Sequence, residues 1–194
     1  MIKIKVEELI KIPVSDILGK VIVFPTDTVY GIGALCNDLD GIKKIYELKH
    51  RDKSKPLACL AADVEDIMPV ININNERTSE FIKYWPGAIT LIFEKKNRSF
   101  IDESLSTIAF RIPNSQVALK ILSHFGIMAV TSMNISGNMP LNDLKSIEES
   151  FGDVIDYLVI DEENLSTVSS TILDLSTNDI KVLRKGDILE KINV

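Results

Sequence analysis

Val21-Ile22-Val23-Phe24-Pro25-Thr26-Asp27-Thr28-Val29-Tyr30-Gly31-Ile32-Gly33 sets the grammar of the chain. Val21 to Phe24 is an unbroken apolar, mostly β-branched run, which reads as a buried strand, and Pro25, with no amide proton to give a ladder, ends it. Pro25 to Gly33 then reads as a turn. A dinucleotide fingerprint there would need a third glycine at position 36, which is Cys36, and no GxxxxGK[ST] occurs anywhere. Any phosphate bound by this chain must therefore be neutralised largely by side-chain cations. By composition alone the same turn also fits a polar connection in which a threonine or Asp27 caps a helix.

Upstream, apolar spacing predicts an amphipathic helix over Val6 to Leu18, closed by Gly19. Downstream, Asp38 is placed to cap a helix running to about Leu48, with Leu39, Ile42, Ile45, Tyr46 and Leu48 on one face. Leu57 to Ala62 reads as a short buried strand. Helices over Glu65 to Met68 and Glu76 to Trp85 follow, the second stopped by Pro86 and Gly87. Strands are predicted at Ile89 to Phe93, Thr107 to Ile112 and Ile127 to Thr131, with helices at Ser115 to His124 and Ser146 to Phe151. The tail adds strands near Tyr157 to Ile160, Thr171 to Leu175 and Ile180 to Leu183. Helices interleaved with strands, and strand pairs near the C-terminus, predict an α/β fold with an open sheet of mixed direction, in one domain over residues 1–194.

The 194 residues are 45% hydrophobic and 26% charged, the balance of an ordinary globular protein that needs no metal or disulfide to fold. Cys36 and Cys59 form no CxxC pair and have no histidine at ligand spacing, which argues against a zinc site and for a reduced, cytoplasmic setting. No apolar run reaches about 18 residues and charges interrupt the N-terminus, so membrane and export readings fall away. With 22 basic and 28 acidic residues the net charge is −6 and the pI near 5.0, no basis for whole-molecule attraction to a polyanion. Locally the balance reverses: Lys43, Lys44, Lys49, Arg51, Lys53 and Lys55 face only Glu47 and Asp52, a patch suited to a small anionic ligand.

Within that patch Lys49 and Arg51 could clamp a polyphosphate, Lys as a compact charge and Arg as a planar fork, or could merely complement a helix C-terminus. Arg111 ends a predicted strand, where its guanidinium would project from a strand tip toward a carboxylate. Thr131-Ser132-Met133-Asn134-Ile135-Ser136-Gly137 offers hydroxyls and an amide after the next strand, in residues that are also ordinary turn vocabulary. His50 sits among cations and His124 at a helix end, and no Ser-His-Asp ordering stands out. Cys36 and Cys59 read as buried filler.

The segments FPTDTVYGIG, LKHRDKSKPL, WPGAITLIF, IAFRIP, TSMNISG, SSTILDL and VLRKG, in that order, resemble the YrdC-like family over essentially the whole chain. The resemblance implies a twisted α/β sheet around a central, concave, basic cavity, and the activity of the family's single-domain threonylcarbamoyl-AMP synthases. Those enzymes join L-threonine, bicarbonate or CO2 and ATP into threonylcarbamoyl-AMP, with release of pyrophosphate. The product then passes to the transferase machinery that makes threonylcarbamoyladenosine in tRNA. The family's K-x-R element falls on Lys49 and Arg51 and its S-x-N element on Ser132 and Asn134, four residues with implied catalytic roles. Thr28, Arg111, Ser132 and Ser170 match threonine-contacting positions, while Arg51, Lys55, Thr107, Asn134, Asn142 and Arg184 match nucleotide-contacting ones. Leu60 stands where a histidine is frequent, and Asn142 where a threonine is.

This implies an exposed Lys49–Arg51 clamp whose removal costs pyrophosphate release but not the fold. Mg2+ is expected to arrive with ATP, held by phosphates and water rather than by a protein cage. Two other readings compete. YrdC-like domains also occur within larger carbamoyltransferases of hydrogenase maturation, whose zinc-finger and acylphosphatase parts do not fit in 194 residues with two cysteines. An RNA-binding or ribosome-assembly module could use the same basic concavity without ATP turnover, and direct contact with tRNA stays open.

Overall fold

The computed structural model describes residues 1–96, 101, 104–186 and 188–192. The chain runs through β1 (Ile2–Ile4), α1 (Val6–Leu9), β2 (Ile22–Pro25), β3 (Tyr30–Leu35), α2 (Leu39–Leu48) and β4 (Ala58–Leu60). It continues through α3 (Val64–Ile67), β5 (Ile71–Asn72), α4 (Thr78–Ile82), β6 (Ile89–Lys95), β7 (Thr107–Arg111) and α5 (Gln116–Phe125). β8 (Met128–Ser132), α6 (Leu144–Phe151), β9 (Tyr157–Val159), β10 (Thr171–Asp174) and β11 (Lys181–Arg184) complete it. The strands join into one 11-stranded sheet in the order β1-β9-β2-β3-β8-β4-β7-β6-β10-β11, with β5 paired to β6. Parallel pairs such as β4–β7 and β6–β10 alternate with antiparallel ones such as β2–β3, β3–β8 and β6–β7, so the direction is mixed, as the sequence predicts.

Local chemistry explains most boundaries. Asp38 caps α2 by accepting from the Gly41 amide, and Ser115 caps α5 by accepting from Ala118. Three departures from the sequence reading have clear causes. The helix predicted over Val6 to Leu18 stops at Leu9, because Pro13 lacks an amide and its ring would strike the carbonyl four residues back; a single 3₁₀ turn, Val14–Ile17, follows. Tyr30 to Leu35 is a strand antiparallel to β2, so Thr26 to Val29 form a hairpin tip rather than a helix cap. The glycines that suggest a turn serve close packing instead: a Cβ on Gly31 or Gly33 would lie 2.8 or 2.9 Å from Val130 of β8. β1 and β5, three and two residues long, carry too little pattern to be seen in sequence.

Apolar residues on the two faces of the sheet gather into separate clusters. Phe81 and Trp85 near α4 pack with Ile89, Leu91, Phe93 and Phe110, and α5 packs Ile121 and Leu122 against Ile22 and Phe24. Ile45 of α2 and Ile147 of α6 cover Val23 and Ile32. These clusters fix the central strands on which the site is built.

Candidate functional site

Above the middle of the sheet lies a cavity of about 640 Å³. Its floor includes small residues, Gly31 on β3, Ala58 on β4 and Ala109 on β7, which the register puts on one face of the sheet, where a central sheet ordinarily carries large ones. Strand alternation explains β7: Thr107, Ala109 and Arg111 alternate with the deeply buried Ile108 and Phe110. Ile42 and Tyr46 of α2 and Ile92 and Ile172 of β6 and β10 form apolar walls. Among the described lining residues the charged ones are Arg51, Lys95, Arg111 and Arg184, with no aspartate or glutamate.

Arg111 is buried at the end of β7, and each arm of its guanidinium is placed by a partner. Nε donates to Gly87 O at 2.9 Å, Nη1 to Thr28 Oγ1 at 2.8 Å, and Nη2 to Asp27 Oδ1. Burial pulls this guanidinium below the usual arginine range, Asp27 opposes that shift and the neighbouring Arg184 reinforces it. Three of five N–H bonds are thus committed, leaving two for a ligand. Arg184, which also lines the cavity, donates through Nε to Ser170 O and through Nη2 to Ser170 Oγ, which lies 2.7 Å from Thr90 Oγ1. Gly186 is required just beyond, since a Cβ there would sit 2.4 Å from Ser169 O. Thr28, Arg51, Thr107, Arg111, Ser132, Ser170 and Arg184 all line this one hollow, although they come from strands and loops far apart in sequence.

Lys49 does not form the exposed clamp expected of it. Its side chain is folded inward and the residue is 2% exposed. The ammonium donates to Ser132 O, to Asn134 O at 2.6 Å and to Asn134 Oδ1 at 2.8 Å, so all three of its protons are used inside the protein. Asn134 is equally committed: Oδ1 also accepts from Ser132 Oγ at 2.7 Å, and Nδ2 donates to Ile135 O and Asn138 O. Neither residue lines the cavity. The K-x-R and S-x-N elements are therefore split by side-chain direction. Arg51 and Ser132 face the hollow, while Lys49 and Asn134 brace the β8 exit from behind.

Arg51 donates to Lys55 O and Pro56 O at 2.9 and 3.1 Å, keeping its other edge for the cavity. Those bonds, with Tyr46 Oη donating to the same Lys55 carbonyl, draw the Lys55 backbone inward while its residue stays exposed outside the lining. Asn142 is likewise outside the lining, its Oδ1 buried with no hydrogen-bond partner among the described residues. Leu60 is buried in the cavity wall. Thr90, Thr26 and Asp27 belong to the site's network but escape sequence reading, because a hydroxyl or carboxylate inside or beside a strand shows no partner in the sequence.

Burial and the nearby Arg51 lower the Lys49 pKa to about 8. An unfolded lysine titrates near 10.4, so between pH 8 and that value the unfolded chain holds the extra proton and this group's contribution to stability rises with pH. Between pH 7.5 and 9.5 the urea midpoint of the wild type is expected to rise relative to that of Lys49→Met, a comparison in which the buried Cys36 thiol, with its raised pKa, titrates alike in both chains. An equal pH dependence in the two would place the titrating group elsewhere.

Among the described residues no group of three or more His, Cys, Asp or Glu side chains could hold a metal ion, and no helix is long and apolar enough to cross a membrane. The fold and cavity together define an α/β protein of mixed sheet, with arginines and hydroxyls converging on a hollow suited to a small anionic ligand. The chain belongs to the Sua5–YciO–YrdC family, whose model, described as telomere recombination, matches residues 18–186. A threonylcarbamoyl-AMP synthase of Bacillus subtilis is 31% identical over 178 residues, 89% of this chain and 51% of that protein. A threonylcarbamoyl-AMP synthase of Vibrio campbellii is 29% identical over 87% of this chain and 93% of its own length. The crystal structure of P. abyssi Sua5 complexed with L-threonine superposes with a TM-score of 0.86 at 32% identity, covering 96% of this chain and 58% of that one. The chain thus spans about half the length of the Bacillus relative and nearly all of the Vibrio one.

Proposed function

We propose that this protein is a threonylcarbamoyl-AMP synthase, a nucleotidyltransferase acting as one domain in the cytoplasm and supplying the transferase that modifies tRNA. The observation that carries the reading is the cavity that joins Arg111 and Thr28 to Arg51 and Arg184 over a floor of small residues. The names of the relatives, and the L-threonine in one of their structures, support the same substrates.

In this reading the amine of L-threonine adds to CO2 and loses a proton, giving a carbamate. A carbamate oxygen attacks the α-phosphorus of ATP, and the α–β bridging oxygen leaves with pyrophosphate. Several anions must share one space, so the protein's work is positioning and charge compensation more than covalent participation. Arg111 takes the threonine carboxylate. Arg51 and Arg184 face the polyphosphate, with Thr107 toward the nucleotide and Ser132 toward the reacting end. Lys49 and Asn134 act through Ser132 by holding the turn that presents it. Mg2+ would enter on the phosphates of ATP, held there by phosphate and water.

The deciding experiment measures pyrophosphate release and adenylate product from ATP with and without L-threonine and bicarbonate. Product that depends on both is expected; RNA binding with steep salt dependence and no turnover would support an RNA-binding module instead. Arg51→Ala is expected to raise the KM for ATP roughly 10- to 100-fold, the loss of one or two charge-assisted hydrogen bonds, with a melting temperature lowered by only a few degrees, since its bonds to Lys55 O and Pro56 O are solvent-exposed. An unchanged KM would remove Arg51 from the polyphosphate.

A further inference from the structure

Between β9 and β10 the chain runs as a strap without regular secondary structure, residues 160–170. Two of its carboxylates fasten it to helix starts. Asp161 Oδ2 accepts from the Val6 amide of α1 at 2.7 Å, and Glu163 Oε1 accepts from the Val117 amide of α5 at 3.0 Å and from Ser115 Oγ at 3.1 Å. A second acceptor for that hydroxyl, Pro25 O, is farther off at 3.4 Å. Beyond Glu163 the strap crosses the β2–β3 hairpin tip, where Ser166 N donates to Asp27 O at 3.0 Å and Thr167 N to Thr28 O at 2.8 Å. It ends at Ser170, whose carbonyl and hydroxyl both accept from Arg184. One short segment thus holds the backbone of Thr28 and the side chain of Arg184, both of which line the cavity.

The crossing does not hold itself in place. Thr167 lies at φ +61°, a left-handed conformation that is costly for a β-branched residue, and Ser166, Thr167 and Val168 are exposed, so neither local preference nor burial fixes them. Leu165 packs against the cluster that contains Tyr30 and Ile32, and Glu163 ties the strap to α5 three residues before the crossing. Helix α5 already has Ser115 as its cap, so its own start does not depend on Glu163. We infer that Glu163 is a positioning residue for both substrates: its carboxylate, favoured at the positive end of α5, pins the strap and so keeps the Ser166 and Thr167 amides on the hairpin tip and Ser170 against Arg184. The kinetic part of this inference rests on the reading that the cavity holds L-threonine and ATP.

Glu163→Ala and Glu163→Gln in the full chain test this, with amide exchange read residue by residue by NMR and the KM for each substrate read by pyrophosphate release. Glu163→Ala is expected to speed exchange at Ser166 and Thr167 about tenfold and to raise the KM for L-threonine and for ATP together, each about tenfold, one charge-assisted hydrogen bond's worth, with kcat changed less than about twofold. Exchange at Ile121 and Leu122 inside α5 should stay as in the wild type. Glutamine keeps an oxygen that can accept both bonds, so Glu163→Gln should stay within about threefold of the wild type in every reading. A Glu163→Ala variant with wild-type exchange at the strap, or with a lower melting temperature and unchanged KM values, overturns the inference. So does a rise in KM for one substrate alone, or a Glu163→Gln variant as impaired as Glu163→Ala. If the wild type makes no threonine-dependent product, the threonylcarbamoyl-AMP reading falls, and exchange at Ser166 and Thr167 still decides whether Glu163 pins the strap.

Discussion

Lys49→Ala lowers the melting temperature by about 10 °C and abolishes turnover, instead of leaving a folded but inactive enzyme. The estimate follows from three acceptors that lose an ammonium together: about 3 kcal/mol for buried, charge-assisted bonds, at a few degrees per kcal/mol in a chain of this size. The activity loss follows because Ser132 and Asn134 lose the group that ties the β8 exit to the end of α2, where Ser136 N also donates to Lys49 O. Differential scanning calorimetry and the pyrophosphate assay read the two effects separately. A variant with wild-type melting and lost turnover would return Lys49 to direct contact with ligand.

Arg111→Ala is the second large effect, and it has two separable parts. Removing the guanidinium leaves Asp27 without its counter-ion in a largely enclosed position, a cost of about 3–5 kcal/mol in comparable pairs. It also removes the proposed carboxylate partner, which is expected to raise the KM for L-threonine about 100-fold. Adding Asp27→Asn to Arg111→Ala should recover most of the stability and none of the threonine affinity, a double-mutant comparison that divides folding from binding. Recovery of both, or an unchanged KM in Arg111→Ala, would make Arg111 a purely structural arginine.

The fold is legible where one pattern dominates. β2, β6, β7 and β8 stand out as apolar runs, and α2 and α5 begin at the caps Asp38 and Ser115. It is illegible where one residue type serves two purposes: glycine in β3 gives close packing rather than a turn, and Pro13 overrides the helical spacing around it. The same holds for the site. Motif order brings Arg51, Arg111, Ser132, Ser170 and Arg184 to one hollow, but spacing carries no information on which way a side chain leaves the backbone. Lys49 and Arg51, two residues apart, point to different places for that reason. Thr90 and Asp27 were invisible because their roles arise only from partners distant in sequence, Ser170 and Arg111.

The small residues Gly31, Ala58 and Ala109 at the floor of the cavity have a consequence for stability. Strands that would elsewhere carry bulky side chains here border a cavity, so the sheet makes fewer dispersion contacts of its own at its centre. A bound nucleotide and amino acid would supply those atoms and become, in effect, the missing part of the interior. Heat resistance is then a property shared between polypeptide and metabolite, rising with the logarithm of ligand concentration once that exceeds the dissociation constant.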